Sequence, residues 1–292
     1  MITVKIWGGL CNQMFQYAYG YAMGRTYNED VHFDTDFYKN QPKYVDSRTL
    51  DICSFFTLPY FDVDDRPKQV KLFQNRILSN IVRRMDFFHC QLSGNIFYVR
   101  EREHTYSDHV PYCKGKNNFY DGYWQSEKYF ADYAEDIRRI FEPSAECKEK
   151  IQNWMKPYIG KNTVAVHIRR GDMEGRNEGY SEKAIMDYYH RAMKTMREKV
   201  SDCVFVVFSD AIPWCKEHIS HEYGEVVFQD QNLGGLFDLM GIAACKHGVM
   251  SQSTFSWWGN WLGDKDQSAR IVIAPKGEYL NNEFIPARWI KV

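Results

Sequence analysis

"VAVHIRRGDM", residues 164–173, joins a short apolar run to a histidine, two adjacent arginines, a glycine and an aspartate. An apolar, β-branched run of this length suits a strand covered on both faces. Arginine is rarely buried unless it is paired, so two of them where a buried strand ends point to an anion arriving there. Four runs of similar character follow: "CVFVVFSD" (203–210), "EVVFQD" (225–230), "HGVMS" (247–251) and "ARIVIAP" (269–275). Helical spacing separates them, clearest in Ile185, Tyr189, Met193, Met196 and Val200. Strands alternating with helices predict a parallel, doubly wound sheet. Ligands of such sheets bind beyond the carboxyl ends of the strands. Four of the runs carry polar residues there: His167 to Asp172, Ser209 with Asp210, Gln229 with Asp230, and Ser251 to Thr254.

The N-terminus repeats the theme. "TVKIW" (3–7) reads as a strand, Gly8 and Gly9 as a turn, and a helix from about Asn12 carries Met14, Ala18, Tyr21 and Ala22 on one face. "VHFD" (31–34) closes a βαβ unit. Residues 44–120 show no clean period, although "NRILSNIVRRMDFFH" (75–89) reads as a helix; "FYDGYWQSEKYF" (119–130) returns to a strand and loop, leading to a helix ending near Pro143. The expectation is an α/β protein of two domains, 1–150 and 151–292, the stretch from about residue 278 packing back on the first.

Composition excludes several classes. The 292 residues are 44% hydrophobic and 26% charged with a formal net charge of −1, so nothing draws the chain to nucleic acid. The eight cysteines form no CxxC pair, which suggests reduced thiols in a reducing compartment. "MITVKIWGG" is too short and too soon interrupted for a signal peptide. No apolar run approaches the roughly 18–20 residues that span a bilayer, and the expected location is the cytoplasm. "GGLCNQ" is not GxGxxG, no P-loop motif occurs, and "RGD" at 170–172 is a chance adhesion tripeptide at the end of a buried strand.

Arginine's fixed fork of donors matches phosphate oxygens, and each charge-assisted bond contributes roughly 1.5–3 kcal/mol. One of the two arginines is read as the ligand residue, Arg169, and the other as structural, for instance paired with Asp172. Ser253 and Thr254 sit where a strand passes into a helix, so hydroxyls and first-turn N–H groups would face an anion. Plain N-capping would use the same residues. The two features on neighbouring layers of one sheet suggest a diphosphate. Trp257, Trp258 and Trp261 are read as packing.

"GGLCNQMFQYAYG", "GYWQSEKYF", "HIRRGD", "FSD", "DLMGIAACKHGVMSQSTFSWWGNWL" and "IAPKGEY" together resemble the motif series of the α-1,2-fucosyltransferases, glycosyltransferase family 11, in order across nearly the whole chain. The resemblance implies a GT-B-like fold, two Rossmann-type domains facing across a cleft. The acceptor, a terminal β-galactoside, would lie mostly on the N-terminal domain, and the substrate GDP-fucose on the C-terminal one. It implies that Arg169 holds the β-phosphate, His167 lies near the guanosine, and Asp238 accepts from the guanine edge. Ser253, Thr254 and the Phe255 backbone would hold the diphosphate. Asn12 would face the donor and share the catalytic role with Arg169; Gln13 and Gln125 would lie on the acceptor side.

The implied reaction is a single inverting displacement, with the leaving diphosphate needing charge stabilisation. The formal DxD candidates, "DTD" (34–36) and "DVDD" (62–65), fall in the half away from the nucleotide. Arg169 and the helix N-terminus take the metal's part, so no metal and no other cofactor is expected. Glu174 and Glu178 follow the arginines and are acceptor-side candidates, with the general base left unassigned.

Two departures from the family pattern stand out. Cys11 replaces the third glycine of GGLGNQ, which would be strained if that position needs a positive φ. Ala211 stands where a second acidic residue is common. Arg76, Arg83 and Arg84 amid apolar residues in 75–89 would suit either an amphipathic helix packed on its own domain or a peripheral membrane contact. The alternatives to α-1,2 fucosyl transfer are another fucose linkage or GDP-sugar, and a non-catalytic nucleotide-sugar or carbohydrate-binding protein.

Overall fold

In the computed structural model, which describes residues 1–41, 47–63, 83–85, 88–102, 106–170, 181–265, 269–276 and 283–292, the first sheet grows from the N-terminal βαβ unit. Strand β1 (Ile2–Lys5), helix α1 (Leu10–Tyr27) and strand β2 (Val31–Asp34) follow one another, with β1 and β2 parallel in the register Ile2↔Val31. Short helices α2 (Asp36–Lys39) and α3 (Ile52–Phe55) lead to β3 (Asp62–Val63). Strands β4 (Arg83–Met85), β5 (Phe88–Ser93), β6 (Ile96–Glu101) and β7 (Asn117–Asp121), then helix α4 (Ala134–Ile140), complete the unit. The sheet order is β3-β2-β1-β7-β6-β5-β4, parallel as far as β6 and antiparallel beyond it.

Two expectations change here. The helix read over 75–89 is not one where it can be described: 83–85 and 88–93 are antiparallel strands, Arg83 opposite Cys90 and Phe88 opposite Glu101. The period-2 alternation of "FHCQLS", with Phe88 and Cys90 buried, outweighs the helical spacing upstream. Residues 75–82, 86 and 87 lie outside the described residues. Among the described residues no helix is long and apolar enough to cross a membrane.

Cys11 is the second change. It is the second residue of α1, buried, and is not among the positive-φ residues, whereas Gly8 is, at φ +80°. The tight turn is made by Gly8, so Cys11 carries no left-handed strain. A Cys11→Gly protein should therefore melt lower than wild type, by about 1–2 kcal/mol of stability, from helix entropy and a lost buried side chain. An equal or higher melting temperature would show that the position prefers glycine after all.

The second sheet is wholly parallel. Helix α5 (Ala145–Met155) precedes β8 (Asn162–Ile168), α6 (Glu182–Lys199), β9 (Cys203–Ser209), α7 (Ile212–His218), β10 (Glu225–Phe228), α8 (Gly235–Ala244), β11 (His247–Val249), α9 (Thr254–Gly263), β12 (Val272–Ala274) and β13 (Ile290–Lys291). The order is β10-β9-β8-β11-β12-β13. Val164, Val166 and Ile168 face α6 through Ile185, Tyr189, Met193 and Met196; Ala165, Val204, Val206 and Phe208 pack on the other face with Ile242 of α8. Both faces are thus covered, which is why the strands read as continuous apolar runs.

The two compact units are Met1–Glu142 with Asn281–Pro286, and Pro143–Leu280 with Ala287–Val292. The division falls at Pro143 rather than at 150, which would have cut α5. Of the C-terminal stretch expected on the first domain, only Asn281–Pro286 belongs to that unit; the rest supplies β13 to the second sheet.

Candidate active site

In the second sheet the chain works outward from β8 in one direction through β9 and β10, then crosses to the other side of β8 with β11. The carboxyl ends of β8 and β11 therefore flank a switch point, where open parallel sheets form a crevice. His167, Arg169 and Arg170 leave β8 there, and Ser251 to Phe255 leave β11.

His167 has the same strand parity as Ala165, so it points away from α6 and toward Phe255, the ring centroids 5.2 Å apart. Its Nδ1 lies 2.9 Å from Ser251 Oγ, and its carbonyl accepts from Tyr189 Oη at 2.7 Å. Burial, with the Arg169 guanidinium next, pulls its pKa down to about 3. The imidazole is neutral at physiological pH.

The two arginines part company. Arg170 is buried: its guanidinium sits 4.0 Å over the Trp214 ring and 3.4 Å from Glu182 Oε2, and its N–H donates to Asp210 Oδ1 at 3.0 Å. This is a packing role, anchored on Trp214, Glu182 and Asp210. Arg169 is half-buried and lines a cavity; its Nη1 donates to Ser253 Oγ at 3.4 Å. Asp172, Glu174 and Glu178 lie outside the described residues.

Ser253 is the N-cap of α9, its Oγ accepting from Phe255 N–H at 3.2 Å. Thr254 opens the helix. The Phe255 amide thus donates to the cap, and Phe255 also lines the cavity beside Arg169. Trp257, Trp258 and Trp261 are buried, with Trp257 and Trp261 stacked at 5.8 Å.

Asp238 sits in the first turn of α8, after Gly234 at φ +92°. Its Oδ1 is buried without a hydrogen-bond partner, and burial raises its carboxyl to about 6 despite a side-chain hydrogen bond from Gln229. His167, Arg169, Phe208, Ser209, Asp210, Asp238 and Phe255 enclose one cavity of about 260 Å³. A cation, a helix N-terminus and a carboxylate oxygen in want of a donor thus border a single volume.

In the first unit, Gly8 brings the chain to α1, where an added Cβ would come within 2.8 Å of Asn12 Nδ2. Asn12 Oδ1 accepts from Gln125 Nε2 at 3.0 Å. Gln13 is not available to an acceptor. It is fully buried, its Nε2 donates to the carbonyls of Gly8 and Thr49, and its Oε1 accepts from the amides of Asp51 and Ile52. It ties the first loop to residues 49–52 instead. Gln16, which the sequence reading passed over, does likewise for Trp7 N–H and the Gly122 carbonyl. In "DTD", Asp34 is buried and accepts from Asp36 N–H at 3.0 Å; in "DVDD", residues 62–63 form β3 and the remainder is outside the described residues. A larger cavity of about 710 Å³ adjoins the amino ends of β2 and β3; Asp62 of "DVDD" lines it, whereas Asn12, Gln125, Arg169 and Asp238 do not.

Comparison with known proteins adds the chemistry. A family model described as glycosyl transferase family 11 matches residues 1–285. An α-1,2-colitosyltransferase of Escherichia coli is 30% identical over 307 residues, covering 100% of this chain and 99% of that protein. The rat galactoside α-(1,2)-fucosyltransferase 1 is 31% identical over 175 residues, 54% of this chain and 46% of that protein. Among solved structures, NodZ α-1,6-fucosyltransferase soaked with GDP-fucose aligns with a TM-score of 0.54 at 13% identity, covering 89% of this chain and 92% of that one. Arabidopsis thaliana FUT1 in complex with GDP also gives 0.54, at 12% identity, covering 98% and 72%. The fold is accordingly α/β and GT-B-like.

Proposed function

The chain belongs to glycosyl transferase family 11, and on that premise we propose that it transfers L-fucose from GDP-β-L-fucose to the 2-hydroxyl of a terminal β-galactoside, with inversion and without a metal. The observation that carries this reading is the cavity at the switch point, bordered by Arg169 and, in Asp238, an oxygen lacking a donor. The N-terminus of α9 begins beside it, where Ser253 meets Arg169. A guanosine diphosphate offers complements to all three. Its N–H-rich guanine edge would donate to Asp238, and its phosphates would take the arginine fork and the first N–H groups of α9.

In the reaction the acceptor oxygen bonds to the anomeric carbon from the face opposite the diphosphate. The bond from that carbon to the β-phosphate oxygen breaks, its electrons stay on the oxygen, and the acceptor proton passes to solvent. Arg169 and the helix dipole act where that negative charge grows, which is the task a metal performs in other glycosyltransferases. His167, neutral and held by Ser251, supports the nucleotide side.

The test is GDP release from GDP-fucose with and without lactose or N-acetyllactosamine, each with EDTA, followed by product NMR for the linkage. Acceptor-dependent release that survives EDTA and yields an α-1,2 product is expected. Loss of turnover in EDTA would overturn the metal-free mechanism, and GDP binding without turnover would favour a binding protein. A second reading, colitosyl transfer, is favoured by the Escherichia coli relative that matches along its whole length. GDP-colitose run beside GDP-fucose separates the two by kcat/KM.

Asp238 gives a prediction with two opposite signs. Its folded-state pKa of about 6 lies above the ordinary aspartate value, so the folded chain holds the proton more tightly than the unfolded chain does. That contribution to stability is full at low pH and falls as pH rises through the window up to about 6. At neutral pH the ionised, unliganded group costs about 1–3 kcal/mol. Asp238→Asn should therefore raise the melting temperature of the unliganded protein while weakening GDP binding by about ten- to a hundredfold. Wild-type affinity should also drop below pH 6 by a step that the variant lacks. If calorimetry and melting both decline together, Asp238 is a structural residue.

A further inference from the structure

Resting on the reading that the first unit receives the acceptor, we infer that Glu101 is the positioning residue of that side, and that the surface it organises, Tyr123 with the Asn12–Gln125 amide pair, receives the acceptor's pyranose ring. Glu101 ends β6 and is 4% exposed. Its Oε2 accepts from Tyr123 N–H at 2.7 Å and Trp124 N–H at 3.2 Å. A buried carboxylate is costly unless it is well hydrogen-bonded, and here the bonds come from backbone 22 and 23 residues away. Gly122 makes the approach possible: an added Cβ would lie 2.6 Å from Glu101 Cβ and 2.8 Å from its Oε2.

The turn so held is a strained one. Trp124 is fully buried at φ +57°, a conformation disfavoured for a bulky residue. It is kept there by Glu101 on the backbone and by stacking of its ring on Tyr19 at 4.1 Å and 6°. Strain of this kind persists where the surroundings over-determine it, and its consequence is visible on both sides of Trp124. Before it, the Tyr123 ring stacks on Trp7 at 4.0 Å; after it, Gln125 Nε2 reaches Asn12 Oδ1. Gln16 fastens Trp7 N–H and the Gly122 carbonyl to one point of α1, so the stack and the turn move together.

The chemistry of this surface suits a sugar. The amide pair spends Gln125 Nε2 and Asn12 Oδ1 on each other, leaving Asn12 Nδ2 to donate and Gln125 Oε1 to accept. A hydroxyl, both donor and acceptor, satisfies the two at once. The half-buried aromatic ring of Tyr123, stacked on Trp7 and two residues before Gln125 in the same turn, adds an apolar surface with a polar tip, which suits the C–H face of a pyranose. These groups lie past the carboxyl ends of β1 and β7, the end at which parallel sheets bind ligands.

The experiment compares wild type, Glu101→Ala and Glu101→Gln in three measurements: acceptor KM and kcat with N-acetyllactosamine, GDP affinity by calorimetry, and binding of N-acetyllactosamine in the presence of GDP by saturation-transfer NMR. Glu101→Ala should raise the acceptor KM about tenfold or more and lose the NMR signal, with GDP affinity within about twofold of wild type. Glu101→Gln, which keeps an oxygen for both N–H groups, should recover most of the acceptor KM. The inference is overturned if the alanine variant keeps the wild-type acceptor KM, if GDP affinity falls in parallel, or if glutamine is no better than alanine. A wild type that binds the disaccharide yet releases no GDP from GDP-fucose would overturn the transfer reading instead, and the variants' NMR signals would still decide Glu101.

Discussion

Replacing Arg169 by alanine is expected to cost fucosyl transfer about a hundred- to ten-thousandfold in kcat/KM, with the fold intact. Two charge-assisted bonds from its fork to the leaving diphosphate, at roughly 1.5–3 kcal/mol each, set that range. The loss should appear more in kcat than in GDP affinity, because the β-phosphate oxygen gains its charge as the glycosidic bond breaks. Half-buried at the cavity wall, with Ser253 Oγ as a neighbour at 3.4 Å, Arg169 leaves no large void when truncated. Arg169→Lys should recover only part of the rate, since a point charge replaces a planar fork. The contrast lies one residue away. Arg170, wedged over Trp214 and beside Glu182, should when replaced lower the melting temperature first and activity only in consequence. An Arg169→Ala enzyme within about threefold of wild type would remove the arginine from the reaction and return the search for positive charge to a metal.

What the sequence made legible, and what it hid, divides along the range of the interactions. The strands at 162–168 and 203–209 are long, apolar and β-branched, so their local pattern and their place in a doubly wound sheet agree. The polar residues at their ends were legible for the same reason: parallel strands end together. By contrast, β13 is the two-residue stretch Ile290–Lys291, which is a strand only because β12 lies beside it. Strands β4 and β5 were hidden, although each pairs with the next strand along the chain, because an apolar helix-like spacing runs into them. Gln13 was misread since a polar residue on an amphipathic helix ordinarily faces outward, whereas α1 is covered nearly all round and spends its glutamines on loop backbone. Glu101 acts on backbone amides that no residue type betrays.

Arg270 is the extreme of that kind, and its replacement by methionine should lower stability by about 3–5 kcal/mol, a melting shift of about 6–20 °C. In the sequence it is merely the second residue of the run "ARIVIAP". In the fold it is buried, donating from Nη1 to the carbonyls of Ala243 and Cys245 and from Nη2 to that of Ile242 at 3.0 Å. These are the last carbonyls of α8, groups without helical partners and at the negative end of its dipole. A further bond at 3.0 Å joins Nη2 to Asn260 Oδ1 on α9, so one guanidinium fastens the helix bearing Asp238 to the helix capped by Ser253. Burial pulls its pKa down to about 10, which leaves it a cation at neutral pH. Two glycines mark the space it needs: a Cβ on Gly248 would collide with Asn260 Oδ1, and one on Gly263 with the Arg270 guanidinium. Methionine fills much of the volume but strands three carbonyls and an amide oxygen without donors, each a desolvation cost of about 1–3 kcal/mol. Lysine, with a single ammonium, should restore part of the stability and less of the GDP affinity, because it cannot hold both helices in register. A methionine variant melting within about 2 °C of wild type, with GDP affinity intact, would mean that water satisfies the end of α8 and that the two donor-side helices are aligned by their apolar contact alone.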